Sequence, residues 1–166
     1  MGLWKIKNLE QLENIVKILK SEGKTLVTTN GCFDILHVGH VRYLQEARNL
    51  GDVLIVGVNS DMSVKNLKGP TRPIVPQQER LEMLTALGCV NYVFVFDEPD
   101  PTAYIERLKP HIHVKGGDYN ISNVVEKEIV ESYGGKIHIA SYVQDKSTTN
   151  IFKEVLNRHG GIKNER

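Results

Sequence analysis

The chain has 166 residues, 40% hydrophobic and 25% charged, and its 21 Lys and Arg against 20 Asp and Glu leave a formal charge of +1. That length supports one sizeable core and is short for two. The near-neutral balance gives no electrostatic case for nucleic acid or a membrane surface. Two cysteines imply no disulfide framework, and no stretch approaches the roughly 20 apolar residues of a membrane span, so a soluble cytoplasmic protein is expected.

Met1 to Lys7 lacks a secretory apolar core. Asn8 with Gln11 three residues on has the form of a capping box, and Leu9, Leu12, Ile15, Val16 and Leu19 make a helical stripe ending near Gly23. This is an added N-terminal helix, residues 1–23, before a core of 24–158 and a frayed tail of 159–166. Leu26 and Val27 read as the end of a buried strand, and Gly31 allows a backbone reversal that a Cβ would hinder. From about Gly39 the residues Val41, Tyr43, Leu44, Ala47 and Leu50 recur near helical spacing. Asp52 to Val58 is a continuous apolar run, as in a strand covered on both faces, and Asn59-Ser60-Asp61 caps a short helix.

Lys65 to Pro76 carries Gly69, Pro70, Pro73 and Pro76, which predicts a basic loop. Gln77 to Leu87 resumes helical periodicity. Val90 to Phe96 is strand-like, Pro101 to Leu108 helical, Ile112 to Lys115 a strand, Val124 to Tyr133 a helix, Lys136 to Ala140 a last strand and Ser147 to Arg158 a closing helix. Strands alternating with helices predict an α/β, Rossmann-like doubly wound parallel sheet in a single domain.

The chemistry concentrates in Thr29-Asn30-Gly31-Cys32-Phe33-Asp34-Ile35-Leu36-His37-Val38-Gly39-His40, a strand, a turn and a helix start. The unpaired N–H groups and positive dipole end of that helix point into the crevice at the strand's carboxyl end, a ready anion site. His37 and His40 are three apart, so their rings can converge, and Gly39 lets a phosphate approach the backbone. A zinc pair is the alternative, but no other Cys or His spacing supplies a third and fourth ligand. Lys65, Lys68, Arg72 and then Arg80 suit a flap over a polyanion, Arg by bidentate grip and Lys as a mobile point charge. Val114-Lys115-Gly116-Gly117-Asp118-Tyr119 should face the same crevice, with Asp118 available to a ribose or base. Ser147-Thr148-Thr149 places hydroxyls at another helix start, whereas His111 and His113 read as edge or surface residues.

The signature G-x-F-D-x-x-H-x-G-H resembles that of the cytidylyltransferase-like nucleotidyltransferases. The Lys-Gly-Pro-Thr-Arg-Pro loop, Val-Lys-Gly-Gly-Asp-Tyr and Ser-Thr-Thr are similar to the subgroup of heptose 1-phosphate adenylyltransferases, over about residues 24–158. The family often has Ser-Thr-x-Ile-Arg at the last motif; here Phe152 stands in the arginine's place. The resemblance implies the HxGH type of fold, ATP and D-glycero-D-manno-heptose 1-phosphate as substrates, ADP-heptose and pyrophosphate as products, Mg²⁺ brought by the triphosphate rather than by direct protein ligands, and a homodimer. It assigns His37, His40, Lys68 and Arg80 to the chemistry. Asn30, Gly31, Cys32, Phe33, Asp34, Gly39, Asp118, Ser147, Thr148 and Thr149 fall to the nucleotide, and Asn59, Asp61, Arg72 and Lys115 to the acceptor. Glycerol-3-phosphate cytidylyltransferase, which uses CTP, shares the signature and the Ser-Thr-Thr ending; an archaeal-type FAD synthetase is similar in plan, and a non-catalytic nucleotide-binding module is the reading from another class.

Overall fold

A computed structural model describes residues 2–117, 121–141 and 147–159. Helix α1 (Leu9–Ser21) opens with the expected capping box: Asn8 accepts from the Gln11 amide at 2.8 Å, and Gln11 accepts from the Asn8 amide at 3.0 Å. Strand β1 (Leu26–Gly31) leads into α2 (Val38–Asn49), β2 (Val53–Asn59), α3 (Asp61–Lys68) and α4 (Gln77–Thr85). Then come β3 (Tyr92–Phe96), α5 (Thr102–Leu108), β4 (Ile112–Lys115), α6 (Lys127–Ser132), β5 (Lys136–Ile139) and α7 (Thr148–His159).

The five strands form one parallel sheet in the order β3-β2-β1-β4-β5. Period-two alternation divides their side chains between two faces. Val27, Leu54, Val56, Val58 and Val93 pack with Leu44 and Ala47 of α2 and Leu81 and Leu84 of α4. Leu26, Val53, Ile55, Phe94 and Phe96 pack on the other face with Leu12 and Val16 of α1, Tyr104 and Ile105 of α5 and Val130 of α6. Every residue of β2 is buried, which is why its sequence is a continuous apolar run rather than an alternating one. Burying each Leu, Ile or Val there stabilises the fold by about 1.5–3 kcal/mol.

The strand order reverses between β1 and β4, so the chain leaves their carboxyl ends in opposite directions and opens a crevice there. Among the described residues, no helix is long and apolar enough to cross a membrane.

Two expectations require correction. The basic loop begins at Gly69 (φ +98°), not Lys65; Lys65 and Lys68 occupy the last turn of α3, where cations meet the negative dipole end. The helix expected over 124–133 is shorter: a 3-10 turn (Ile121–Asn123) precedes the segment, and α6 begins only at Lys127. Val124 is 6% exposed but Val125 72%, and the chain turns at Glu126 to send that carboxylate inward.

At the start of β2, a Cβ on Gly51 would lie 2.7 Å from Val27 Cγ2 and 2.8 Å from the Thr25 carbonyl oxygen. Gly51→Ala is expected to cost about 1–3 kcal/mol, read as a lower urea midpoint with unchanged slope; an unaltered midpoint would contradict this packing.

Candidate active site

The turn after β1 is shaped by Phe33, which takes the left-handed conformation (φ +47°) uncommon for a non-glycine residue. Its buried ring lies against the strand end, so a Cβ on Gly31 would come within 3.1 Å of it. Gly31 is therefore needed for ring contact; the reversal expected at Gly31 is made at Phe33 instead. The same ring meets His40 at 5.2 Å between centroids. His40 in turn stacks on His37 at 3.8 Å with planes 23° apart, so the two imidazoles do converge.

His37 is the N-cap of α2. Its carbonyl accepts from the Val41 amide at 3.3 Å, and the amides of Val38, buried Gly39 and His40 lie in the opening turn, before the helix's own acceptors begin. Burial, reinforced by the neighbouring His37, pushes the His40 pKa down to about 4. At neutral pH it is an uncharged ring, able to donate one N–H and unable to repel a metal-bound or cationic partner.

Asp34 ties the proline-rich loop to this turn. Its carboxylate is 1% exposed and accepts from the amides of Ile74 (2.8 Å) and Val75 (2.9 Å) and from Arg72 Nε. The Arg72 guanidinium carbon also lies 4.7 Å from the centre of the Phe152 ring on α7. Thus Phe152, at the position where the resemblance leads one to expect an arginine, is the platform on which an arginine from the loop rests. Lys68, Arg80 and Arg72 all lie near enough to Cys32 to draw its thiol pKa down, although burial dominates and leaves it raised.

Arg80 departs from its expected role. It is wholly buried, donating to the Cys32 carbonyl, to the Val75 carbonyl at 3.0 Å and to Asp61 at 2.8 Å. It is a strut joining the turn, the loop and α3, not a surface clamp. Asp61 is its counter-ion, and Asn59 is buried and donates to Ser63 Oγ at 3.0 Å. Both residues assigned to the acceptor thus brace the scaffold, Asn59 at the buried end of β2 and the partly exposed Asp61 as the partner of Arg80. Ser60 supplies that cap, accepting from the Ser63 amide at 3.1 Å.

Lys115 comes to the crevice edge beside Asn30, donating to Asn30 Oδ1 at 3.3 Å, and is paired with Glu126. His113 is not an edge residue: β4 is interior to the sheet, and His113 is fully buried between Thr28 Oγ1 (2.8 Å) and Glu126 (3.1 Å). His111 accepts from the Leu26 amide at 2.9 Å. At α7, Ser147 caps the helix by accepting from the Asn150 amide at 3.1 Å, Thr148 Oγ1 donates to the Ile35 carbonyl at 3.5 Å, and Thr149 is exposed. Asp118 and Tyr119 lie outside the described residues. A cavity of about 620 Å³ lies between His37 and α7, lined by Asn150, Ile151, Lys153, Glu154, Val155 and Arg158. Lys153 and Glu126 escape a reading by motif, and Phe152 was legible only as a departure from one; the position of Lys153 one turn after the hydroxyl run is the signal that could have marked a further cation.

Among the described residues, no group of three or more His, Cys, Asp or Glu is arranged to hold a metal ion. The described carboxylates nearest the turn, Asp34 and Asp61, are both engaged with arginines, so neither is disposed as a direct Mg²⁺ ligand.

The sequence profile described as cytidylyltransferase-like matches residues 28–156, and the chain belongs to that family, a class of nucleotidyltransferases. It is 56% identical over 159 residues to the bifunctional protein HldE of Geotalea uraniireducens, covering 96% of this chain and 32% of the relative. Against HldE of Geobacter sulfurreducens the identity is 52% over 156 residues, 94% of this chain and 32% of the relative. The chain therefore spans about a third of the length of these curated relatives. Among solved structures it is similar to a lipopolysaccharide core biosynthesis protein from Thermoplasma volcanium, with 31% identity, a TM-score of 0.64 and coverage of 74% of this chain and 100% of that one. Pantoate-beta-alanine ligase from Francisella tularensis shares the fold at 16% identity, with a TM-score of 0.63 over 92% of this chain and 76% of that one.

Replacing the strut by Arg80→Met leaves two buried carbonyls without donors, and stability should fall by about 2–5 kcal/mol in urea denaturation. A surface clamp would leave the midpoint unchanged. For His40 the unfolded ring protonates near 6.5 and the folded one near 4. Between those values the unfolded chain binds more protons, so stability of the ligand-free protein declines as pH falls through that window. His113, lowered in the same direction by burial, adds to it. In His40→Gln the loss of Tm from pH 7 to 4.5 should be smaller than in the parent; an equal loss would show that the ring is not held neutral.

Proposed function

We propose that this domain transfers AMP from ATP to D-glycero-D-manno-heptose 1-phosphate, giving ADP-heptose and pyrophosphate, in the cytoplasm. The reading is carried by one observation: a stacked pair of imidazoles, one of them held neutral, at the N-terminus of α2 and the carboxyl end of the central strand. Helix amides and neutral ring N–H groups stabilise phosphate charge without the tight product grip of several ammonium groups. The similarity to HldE proteins and to the lipopolysaccharide core protein supports a sugar phosphate as acceptor, as does the Lys-Gly-Pro-Thr-Arg-Pro loop.

The reaction needs no nucleophilic side chain. A phosphomonoester has a second pKa near 6, so the acceptor oxygen is already anionic at neutral pH. It attacks the α-phosphorus, a new P–O bond forms, the bond from the α-phosphorus to the bridging oxygen breaks, and pyrophosphate leaves. His37, His40 and the α2 amides hold the α and β phosphates where charge develops. Arg72, oriented by Asp34 and Phe152, and the mobile Lys68 cover the outer phosphates. Ser147 and Thr148 seat α7 beside the turn, and Arg80 keeps the turn and loop in register. Mg²⁺ brought with ATP would supply charge neutralisation on the triphosphate, with none of the described carboxylates assigned to hold it.

Pyrophosphate release should be fastest with ATP and heptose 1-phosphate among pairings of ATP or CTP with heptose 1-phosphate or glycerol 3-phosphate. Preference for CTP with glycerol 3-phosphate would replace this assignment with the cytidylyltransferase one. His40→Ala should lower turnover by about two orders of magnitude with an unchanged circular-dichroism spectrum; near-normal turnover refutes the role of the paired rings.

A further inference from the structure

Beneath the crevice, on the α5 and α6 face of the sheet, a buried polar chain runs from Thr28 through His113, Glu126 and Lys115 to Asn30. Thr28 and His113 are 1% and 0% exposed, Glu126 2% and Lys115 7%. The direction of every hydrogen bond follows from Glu126, whose pKa is lowered to about 2 despite burial by its bonds to His113 and Lys115. An ionised carboxylate only accepts. His113 Nε2, at 3.1 Å, must therefore be the donor. Burial keeps His113 neutral, so its Nδ1 is the acceptor and Thr28 donates to it at 2.8 Å. Lys115 is an ammonium, donating to Glu126 and to Asn30 Oδ1 at 3.3 Å.

The last link has a consequence at the crevice. An amide whose oxygen is held by an ammonium can present only its NH₂ elsewhere, and Asn30 Nδ2 has no hydrogen-bond partner among the described residues. Asn30 is half-buried near the carboxyl end of β1, one residue before Gly31. We propose that Glu126 is a positioning residue for the nucleotide site: by fixing Lys115 against Asn30 it turns the amide so that Nδ2–H faces a phosphate oxygen of the bound nucleotide. A buried ion pair of this kind adds little net stability compared with apolar residues of the same shape. Its effect is directional, selecting one of two amide orientations that have the same shape and opposite polarity.

The inference rests on the nucleotide reading of the site but not on the identity of the acceptor, so equilibrium binding of ATP with Mg²⁺, by calorimetry on the whole chain, is its first readout. Asn30→Asp keeps the bond to Lys115 and exchanges the N–H donor for an anionic oxygen. It should weaken ATP binding at least tenfold, the equivalent of one hydrogen bond to a charged group. Glu126→Gln should weaken it by a similar factor and lower Tm as well, since it strands a buried ammonium. The double variant Glu126→Gln with Lys115→Met removes both charges. Its Tm should recover toward the parent value while ATP binding stays weak, because nothing then orients Asn30.

Recovery of ATP binding together with Tm in the double variant would mean that the network is merely structural, and would overturn the proposal. So would parent-like binding by Asn30→Asp, or a parent chain that binds no ATP. A parent that binds ATP but releases no pyrophosphate with either acceptor would sink the assigned reaction alone; loss of binding in Asn30→Asp and in the double variant would still uphold the positioning role.

Discussion

One buried carboxylate, Asp34, joins the parts of the site. Two amides from the proline-rich loop and the guanidinium of Arg72 converge on it, so the loop cannot move away from the β1–α2 turn without leaving a charge buried and unpaired. That penalty, several kcal/mol for an ion in a protein interior, makes loop and turn one unit. Arg80 fastens the same unit from beneath by reaching the Cys32 carbonyl, and Phe152 extends it to α7.

The unit surrounds a pair of rings whose electrostatics differ from those of the nearby cations. Burial and mutual proximity hold His40 neutral, while Lys68 is exposed and Arg72 partly so. A polyanion entering this crevice meets full charge at the rim and fixed dipoles at the base: helix amides and imidazole N–H groups. Rim charge accelerates encounter and is screened by salt. Fixed dipoles act where charge shifts during reaction, with no reorganisation needed at that moment.

The sheet order supplies the remaining constraint. Because β4 lies beside β1 and not at an edge, alternate residues of β4 face a helix-covered interior. His113 and Lys115, polar residues in a short strand, therefore had to find partners, and Thr28, Glu126 and Asn30 are those partners. This links α6, remote in sequence from the signature, to the strand end where the nucleotide is proposed to sit.

The strand–helix alternation, the capping box at Asn8, the signature turn and the convergence of His37 and His40 were legible in the chain, because each is set by local spacing, by period-two or 3.6-residue patterning, or by contiguous residues. The parts decided by tertiary structure are the ones that depend on which strands are neighbours and which loop closes over which helix: Arg80 as a strut rather than a clamp, Asn59 and Asp61 as bracing, His113 as an interior link, and Phe152 as a platform for Arg72. Charge and polarity along a sequence reveal that a residue needs a partner. Only the fold brings one to it, since burial removes the water that would otherwise have satisfied it.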